Sequence, residues 1–167
     1  MNLRQRPRIG VMGPGACTER GLQLAREVGL CIGREGGILI CGGLGGVMES
    51  AAMGAKEAGG ITVGILPGDG AADANPYIDI PIVTGMGNAR NAINVLTSQA
   101  IIAIHGAYGT LSEIALALKC GTPVVALETW TMTPPEAMPV RGMTVAATPR
   151  EAVEQALRLI RAAESGS

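Results

Sequence analysis

Ala100-Ile101-Ile102-Ala103-Ile104-His105-Gly106-Ala107-Tyr108-Gly109-Thr110-Leu111-Ser112-Glu113 is the stretch that decides the fold. An unbroken apolar run enters a glycine-rich turn, and a helix-like segment leaves it. Apolar residues without alternation mark a strand covered on both faces, as in a parallel sheet lying between helix layers. The same succession recurs along the chain. Strands are predicted over 8–12, 37–41, 61–66, 80–83, 100–104, 123–127 and, more weakly, 144–146. Helices are predicted over 19–35, 47–58, 89–98, 111–119 and 149–164. Glycines follow the ends of three of these helices (Gly36, Gly59, Gly121), as left-handed terminal residues do. Strand–helix–strand repeats take right-handed crossovers. The fold class is therefore α/β: a Rossmann-like, doubly wound, mainly parallel seven-stranded sheet with helices on both faces.

The 167 residues fit one domain, and 47% hydrophobic against 16% charged residues excludes disorder. A net charge of −1 provides no field to attract nucleic acid or an acidic membrane. Tyr77, Tyr108 and Trp130 are the whole aromatic set, too few for base-stacking platforms. No apolar run approaches the ~20 residues that span a bilayer, and residues 1–8 do not resemble a signal peptide. Cys17, Cys31, Cys41 and Cys120 lack metal-ligand or CxxC spacing. They are expected to be buried, reduced thiols of a cytoplasmic protein. Two stretches, 68–77 and 128–142, are irregular; the second holds Pro134-Pro135 and is expected to carry lid or oligomer contacts.

Four glycine-rich loops follow predicted strands and lead into helices: Gly13-Pro14-Gly15, Gly42-Gly43-Leu44-Gly45-Gly46, Gly85-Met86-Gly87 and Gly106-Ala107-Tyr108-Gly109-Thr110. In a parallel sheet all four gather at the carboxyl edge, where ligands bind in open α/β folds. Glycine admits a phosphate to the backbone, and a helix start offers N–H groups and a positive dipole end. A small phosphorylated ligand is thus the expected partner. The dinucleotide fingerprint is missing, since Gly13-x-Gly15-x-x ends in Thr18 and no acidic residue follows the second strand. No GxxxxGK[ST] or GxSxG segment occurs.

Arg90 stands at a helix start, against the dipole, with Asn91, Asn94 and Ser98 continuing a polar line. The line is either a phosphate clamp or a solvent-facing stripe. Thr110-Leu111-Ser112-Glu113 has the form of a capping box, as does Thr148-Pro149-Arg150-Glu151. Glu113 is accordingly a cap or a site carboxylate. His105 is a ligand contact, an acid/base group or a structural histidine. Cys17, beside a helix start, is a minor candidate for a stabilised thiolate.

Residues His105 to Glu113 resemble the PGGxGTxxE signature of the Lonely Guy superfamily. Gly42 to Met48 resembles its GGxxGxM segment, and Met86 to Arg90 its arginine motif. The resemblance spans residues 8–127. It implies a dimer or tetramer and one of two activities. The first is a carrier of a phosphorylated pterin (the molybdenum cofactor, molybdopterin), as in the molybdenum cofactor carrier proteins. The second is hydrolysis of the N-glycosidic bond of a nucleoside 5′-monophosphate. In the hydrolases the matching positions, Arg90 and Glu113, are catalytic. Their usual following lysine is Asn91 here, the signature proline is His105 and a glycine is Ala107. The Arg-Asn pair looks more like the carrier-like branch. The candidate site is therefore Gly13, Gly15, Ala16, Cys17, Gly42, Gly43, Gly45, Gly46, Met86, Arg90, Asn91, His105, Gly106, Gly109, Thr110 and Glu113, with no metal required. The old label lysine decarboxylase has no support: such an enzyme needs a Schiff-base lysine, and Lys56 and Lys119 both fall in predicted helices.

Overall fold

The strands are β1 Arg8–Met12, β2 Ile38–Cys41, β3 Ile61–Leu66, β4 Ile80–Val83, β5 Ala100–His105, β6 Val124–Thr129 and β7 Met143–Val145. The helices are α1 Glu19–Arg34, α2 Val47–Glu57, α3 Asn91–Thr97, α4 Tyr108–Cys120 and α5 Pro149–Ser165. This computed structural model describes residues 2–133 and 140–165. Pro134 and Pro135, and with them the middle of the segment expected to carry lid or oligomer contacts, lie outside the described residues. One seven-stranded sheet runs β4-β3-β2-β1-β5-β6-β7, with every pairing parallel. The order reverses between β1 and β5, so the chain leaves these neighbours in opposite directions and opens a crevice at their carboxyl ends.

Residues 100–104 are fully buried, as their unbroken apolar run requires. One face of the sheet packs under α1, α2 and α5 through Ile9, Leu39, Ile102 and Leu127. The other face packs under α3 and α4 through Met12, Ile101, Val95 and Ile114. Helices α1 and α2 touch backbone to backbone. A Cβ on Gly29 would lie 1.9 Å from the Ala51 carbonyl oxygen, and one on Gly54 would lie 2.0 Å from that of Arg26. Glycine is required at both positions by this crossing.

Several expectations need correction. Strand β4 is exposed at every position, because it is the sheet edge and no helix covers it; Pro81 is tolerated there since an edge strand has a side with no ladder to break. A 3-10 turn, Gly87–Arg90, precedes α3, which starts at Asn91 rather than at 89. Helix α4 starts at Tyr108, ahead of the expected 111. The cysteines are free, but only Cys41 is buried; Cys17 and Cys31 are half-buried and Cys120 is exposed. Among the described residues, no helix is long and apolar enough to cross a membrane.

Candidate functional site

At the crevice, the end of β1, the turn ahead of α3 and the start of α4 enclose a cavity of about 350 Å³. Of the residues singled out in the sequence, Gly13, Gly15, Ala16, Gly42, Arg90, Asn91, Gly109, Thr110 and Glu113 line it. They come from loops up to a hundred residues apart in sequence, brought together by the strand order alone.

Arg90 closes the 3-10 turn, and its side chain is 11% exposed. Nη1 donates to Asn91 Oδ1 at 2.9 Å and lies 3.7 Å from Glu113 Oε1. The guanidinium rests against Gly42, where a Cβ would come within 2.6 Å of Nη2. Glycine at 42 is thus needed first to seat Arg90. Burial pushes the Arg90 guanidinium down, while the Glu113 carboxylate pushes it back up. It remains a buried cation, and its Nε has no partner among the described residues.

Asn91 donates to Ser112 Oγ at 3.0 Å, so it ties the arginine turn to α4. The polar line along α3 is not solvent-facing. Asn94 is fully buried and donates to Glu113 Oε1 at 2.8 Å, and Ser98 donates to the Asn94 carbonyl oxygen. Burial raises the Glu113 carboxyl, with the Asn94 amide and then Arg90 opposing it.

The capping-box alternative for Thr110 and Glu113 does not hold. The N-cap of α4 is Ala107, which has no side chain able to cap; Thr110 lies inside the first turn and is buried. The first N–H groups of α4 therefore have no side-chain cap. Apart from its chain neighbours and the backbone of its own helix, no described atom lies within 4 Å of the place a Gly109 Cβ would occupy. The start of α1 differs: Thr18 caps it by accepting from the Gly21 N–H at 3.2 Å.

The remaining expected site residues fall elsewhere. Gly43 and Gly46 adopt positive φ in the β2–α2 loop, and Gly45 lies between them; none lines the cavity. Met86 is exposed beyond the arginine turn. Gly106 packs against Trp130 and Thr110. His105 and Cys17 sit together on the α1 side of the crevice, with Cys17 Sγ 3.5 Å from His105 Nδ1. Lys56 pairs with Asp79 at 2.7 Å, and neither lysine lines the cavity.

Some lining residues were not singled out: Met12, Met48, Asn88 and Ala107. Met48 closes the GGxxGxM segment, so the motif itself carries its signal. Asn75 was missed for a different reason. It belongs to the irregular 68–77 stretch, yet it is buried, and its Nδ2 donates to the carbonyls of Gly43 at 3.2 Å and Leu44 at 2.9 Å. One side chain thus fixes the glycine loop that seats Arg90.

Known proteins resemble this chain along nearly its whole length. The molybdenum cofactor binding protein of Rippkaea orientalis is 41% identical, with a TM-score of 0.85, covering 93% of this chain and 98% of that one. The molybdenum cofactor carrier protein of Chlamydomonas reinhardtii is 42% identical, with a TM-score of 0.82, covering 93% and 99%. An uncharacterised protein of Archaeoglobus fulgidus is 49% identical over 145 residues, 87% of this chain and 91% of the other. The model of the SLOG cluster4 family matches residues 6–156. With residues of three glycine loops, Arg90 and Glu113 gathered on one crevice, the chain belongs to the SLOG cluster4 family, within the Lonely Guy and molybdenum cofactor carrier superfamily that its motifs indicated.

Proposed function

We propose that this chain, acting as a single domain over 1–167, is a cytoplasmic binding and carrier protein for a small phosphorylated cofactor of the pterin or nucleotide type. The observation that carries the reading is the start of α4. Its first turn has no side-chain cap, and the space beside Gly109 is open toward the cavity. A helix start left in that state suits a phosphate, which accepts from the free N–H groups and meets the positive dipole end. The donor set fits such a group: Arg90 supplies the cation, Gly109 and Thr110 the N–H groups, and Gly13 and Gly15 a side-chain-free wall. The relatives named for the molybdenum cofactor favour a phosphorylated pterin as the cargo. A bound molybdenum cofactor would supply its metal-dithiolene chemistry to a recipient enzyme, so the carrier's task is to hold the phosphate end and shield the rest.

The buried Glu113 favours a second reading, a nucleoside 5′-monophosphate phosphoribohydrolase, because a carboxylate freed from capping lines the cavity beside Arg90. Asn91 supports the carrier instead. Where the hydrolases have a lysine, this chain spends the residue on tying Arg90 to Ser112 and adds no charge. A homodimer or homotetramer is part of the proposal, supported by the bare β4 edge, with Ile80, Ile82 and Val83 all exposed.

The test is to measure thermal stabilisation by phosphorylated pterins and by nucleoside 5′-monophosphates, with chromatography for released base. Stabilisation by the pterin without base release is expected. Base release that vanishes in Glu113→Gln would make the protein a hydrolase.

A further inference from the structure

On the α1 side of the crevice, away from Arg90, three side chains stand in line. Cys17 Sγ lies 3.5 Å from His105 Nδ1, and His105 Nε2 lies 3.5 Å from Glu128 Oε2. Arg20 holds the other carboxylate oxygen, with Nη2 at 2.8 Å from Oε1. That hydrogen bond keeps the Glu128 carboxyl below its ordinary range, so it meets the imidazole as a carboxylate.

The backbone here is bent to make this alignment. His105 and Glu128 are the non-glycine residues with positive φ among those described, at 51° and 49°. The β5–β6 register shifts between Ile104 and His105, and Thr129 Oγ1 donates to the His105 carbonyl oxygen. Such conformations cost energy and persist where the surroundings impose them. Room for the pair comes from α1. A Cβ on Gly21 would fall 2.1 Å from Cys17 Sγ and 3.0 Å from His105 Nδ1. None of these residues is used by the phosphate site, although Ala16 and Ala107, adjacent to the two loops involved, line its cavity.

We propose that Cys17 is a modification site: a base-assisted thiol that exchanges with low-molecular-weight disulfides through the Cys17–His105–Glu128 alignment. In the tautomer with its proton on Nε2, toward Glu128, His105 turns its Nδ1 lone pair to the thiol. Cys17 gives its proton to Nδ1, and the thiolate attacks one sulfur of the disulfide. That disulfide bond breaks, the other sulfur leaves with the electron pair, and it takes the proton from the imidazolium. Cys17 is oxidised to the mixed disulfide and one small thiol is released. The adduct forms one residue along the chain from Ala16, which lines the phosphate cavity.

Cys120 provides the reference, being exposed at the end of α4. Cys41 is a poor competitor, since burial pushes its thiol up to about 11. The experiment treats the whole protein with oxidised glutathione at neutral pH and follows each cysteine by peptide mass spectrometry. Cys17 is expected to form its mixed disulfide ~10-fold faster than Cys120 despite being less exposed. His105→Asn, a residue that tolerates positive φ, is expected to erase that lead while leaving the Cys120 rate alone. Glu128→Gln is expected to reduce it by a smaller factor. If Cys120 reacts first in the wild type, or if His105→Asn leaves the ratio unchanged, the proposal fails. Should His105→Asn also move the Cys120 rate, its fold is disturbed and Glu128→Gln decides: an unchanged ratio there overturns the proposal.

Discussion

Two helix starts carry the same four-residue pattern and do opposite things with it. At α5, Thr148 Oγ1 accepts from the Glu151 N–H at 3.2 Å, and Glu151 Oε2 accepts from the Ala147 N–H at 2.8 Å. There the threonine and the glutamate satisfy the helix end. At α4 the helix begins earlier, Thr110 is swallowed into the first turn, and Glu113 accepts from Asn94 and faces Arg90. The difference lies in the residues on either side of the threonine. Gly109 and Tyr108 join the helix, whereas Thr148 is followed by Pro149, whose fixed φ starts the helix there. A capped start is closed to ligands; an uncapped start over a cavity is available to them.

The largest expected effect breaks the α4 side of this contrast. Arg90→Ala removes the buried cation and leaves Glu113 without its ion pair, so phosphate-ligand affinity should fall by ~100-fold or more, read by calorimetric titration. A variant that binds as the wild type does would remove Arg90 from the site. Next comes the α5 side. Thr148→Ala with Glu151→Ala should cost about 1–2 kcal/mol of stability in urea unfolding and leave ligand affinity unchanged. A comparable loss of binding would mean that the two helix starts are not separable.

Why the sequence gives away one start and hides the other can be argued from particular residues. Strand β5 was readable because five apolar residues in a row admit no solvent face. Arg90 was readable because a cation at a helix start works against the dipole. Glu113 was ambiguous because the T-x-x-E pattern is local, whereas its fate is set by Asn94, which lies 19 residues away. Asn75 was out of reach for the same reason, its bond to Leu44 spanning 31 residues. The exposure of β4 was missed because an edge is a property of strand order, and an apolar run reads the same at an edge as at the centre. Local chemistry survives in a linear reading; partners supplied by topology do not.

A smaller effect sharpens the comparison at Gly109. Alanine fits the space and raises helix propensity, so Gly109→Ala should leave stability unchanged or raise it by up to about 1 kcal/mol. The added methyl projects where nothing stands, and phosphate-ligand affinity should fall by a few-fold, measured by titration. Unchanged affinity would mean that the ligand does not approach α4 at this turn.

The smallest effect, visible only as a function of pH, belongs to Glu113. Burial holds its carboxyl above the ordinary 4.5, so the native state binds this proton more tightly than the unfolded chain does. The stability this contributes is complete below 4.5 and is lost as pH rises through the raised native value. Glu113→Gln keeps an acceptor for Asn94 and removes the titration. Its unfolding free energy should therefore gain on that of the wild type as pH rises from 4.5 through the raised native value, then run parallel to it. A phosphate bound at Arg90 would add negative charge beside the carboxylate and favour its protonated form. Ligand binding at a pH just above the native value should then take up a proton in the wild type and not in Glu113→Gln, measured by titration in buffers of different ionisation enthalpy. A variant that differs from wild type by the same amount at every pH would mean that burial does not raise the Glu113 carboxyl in the native state.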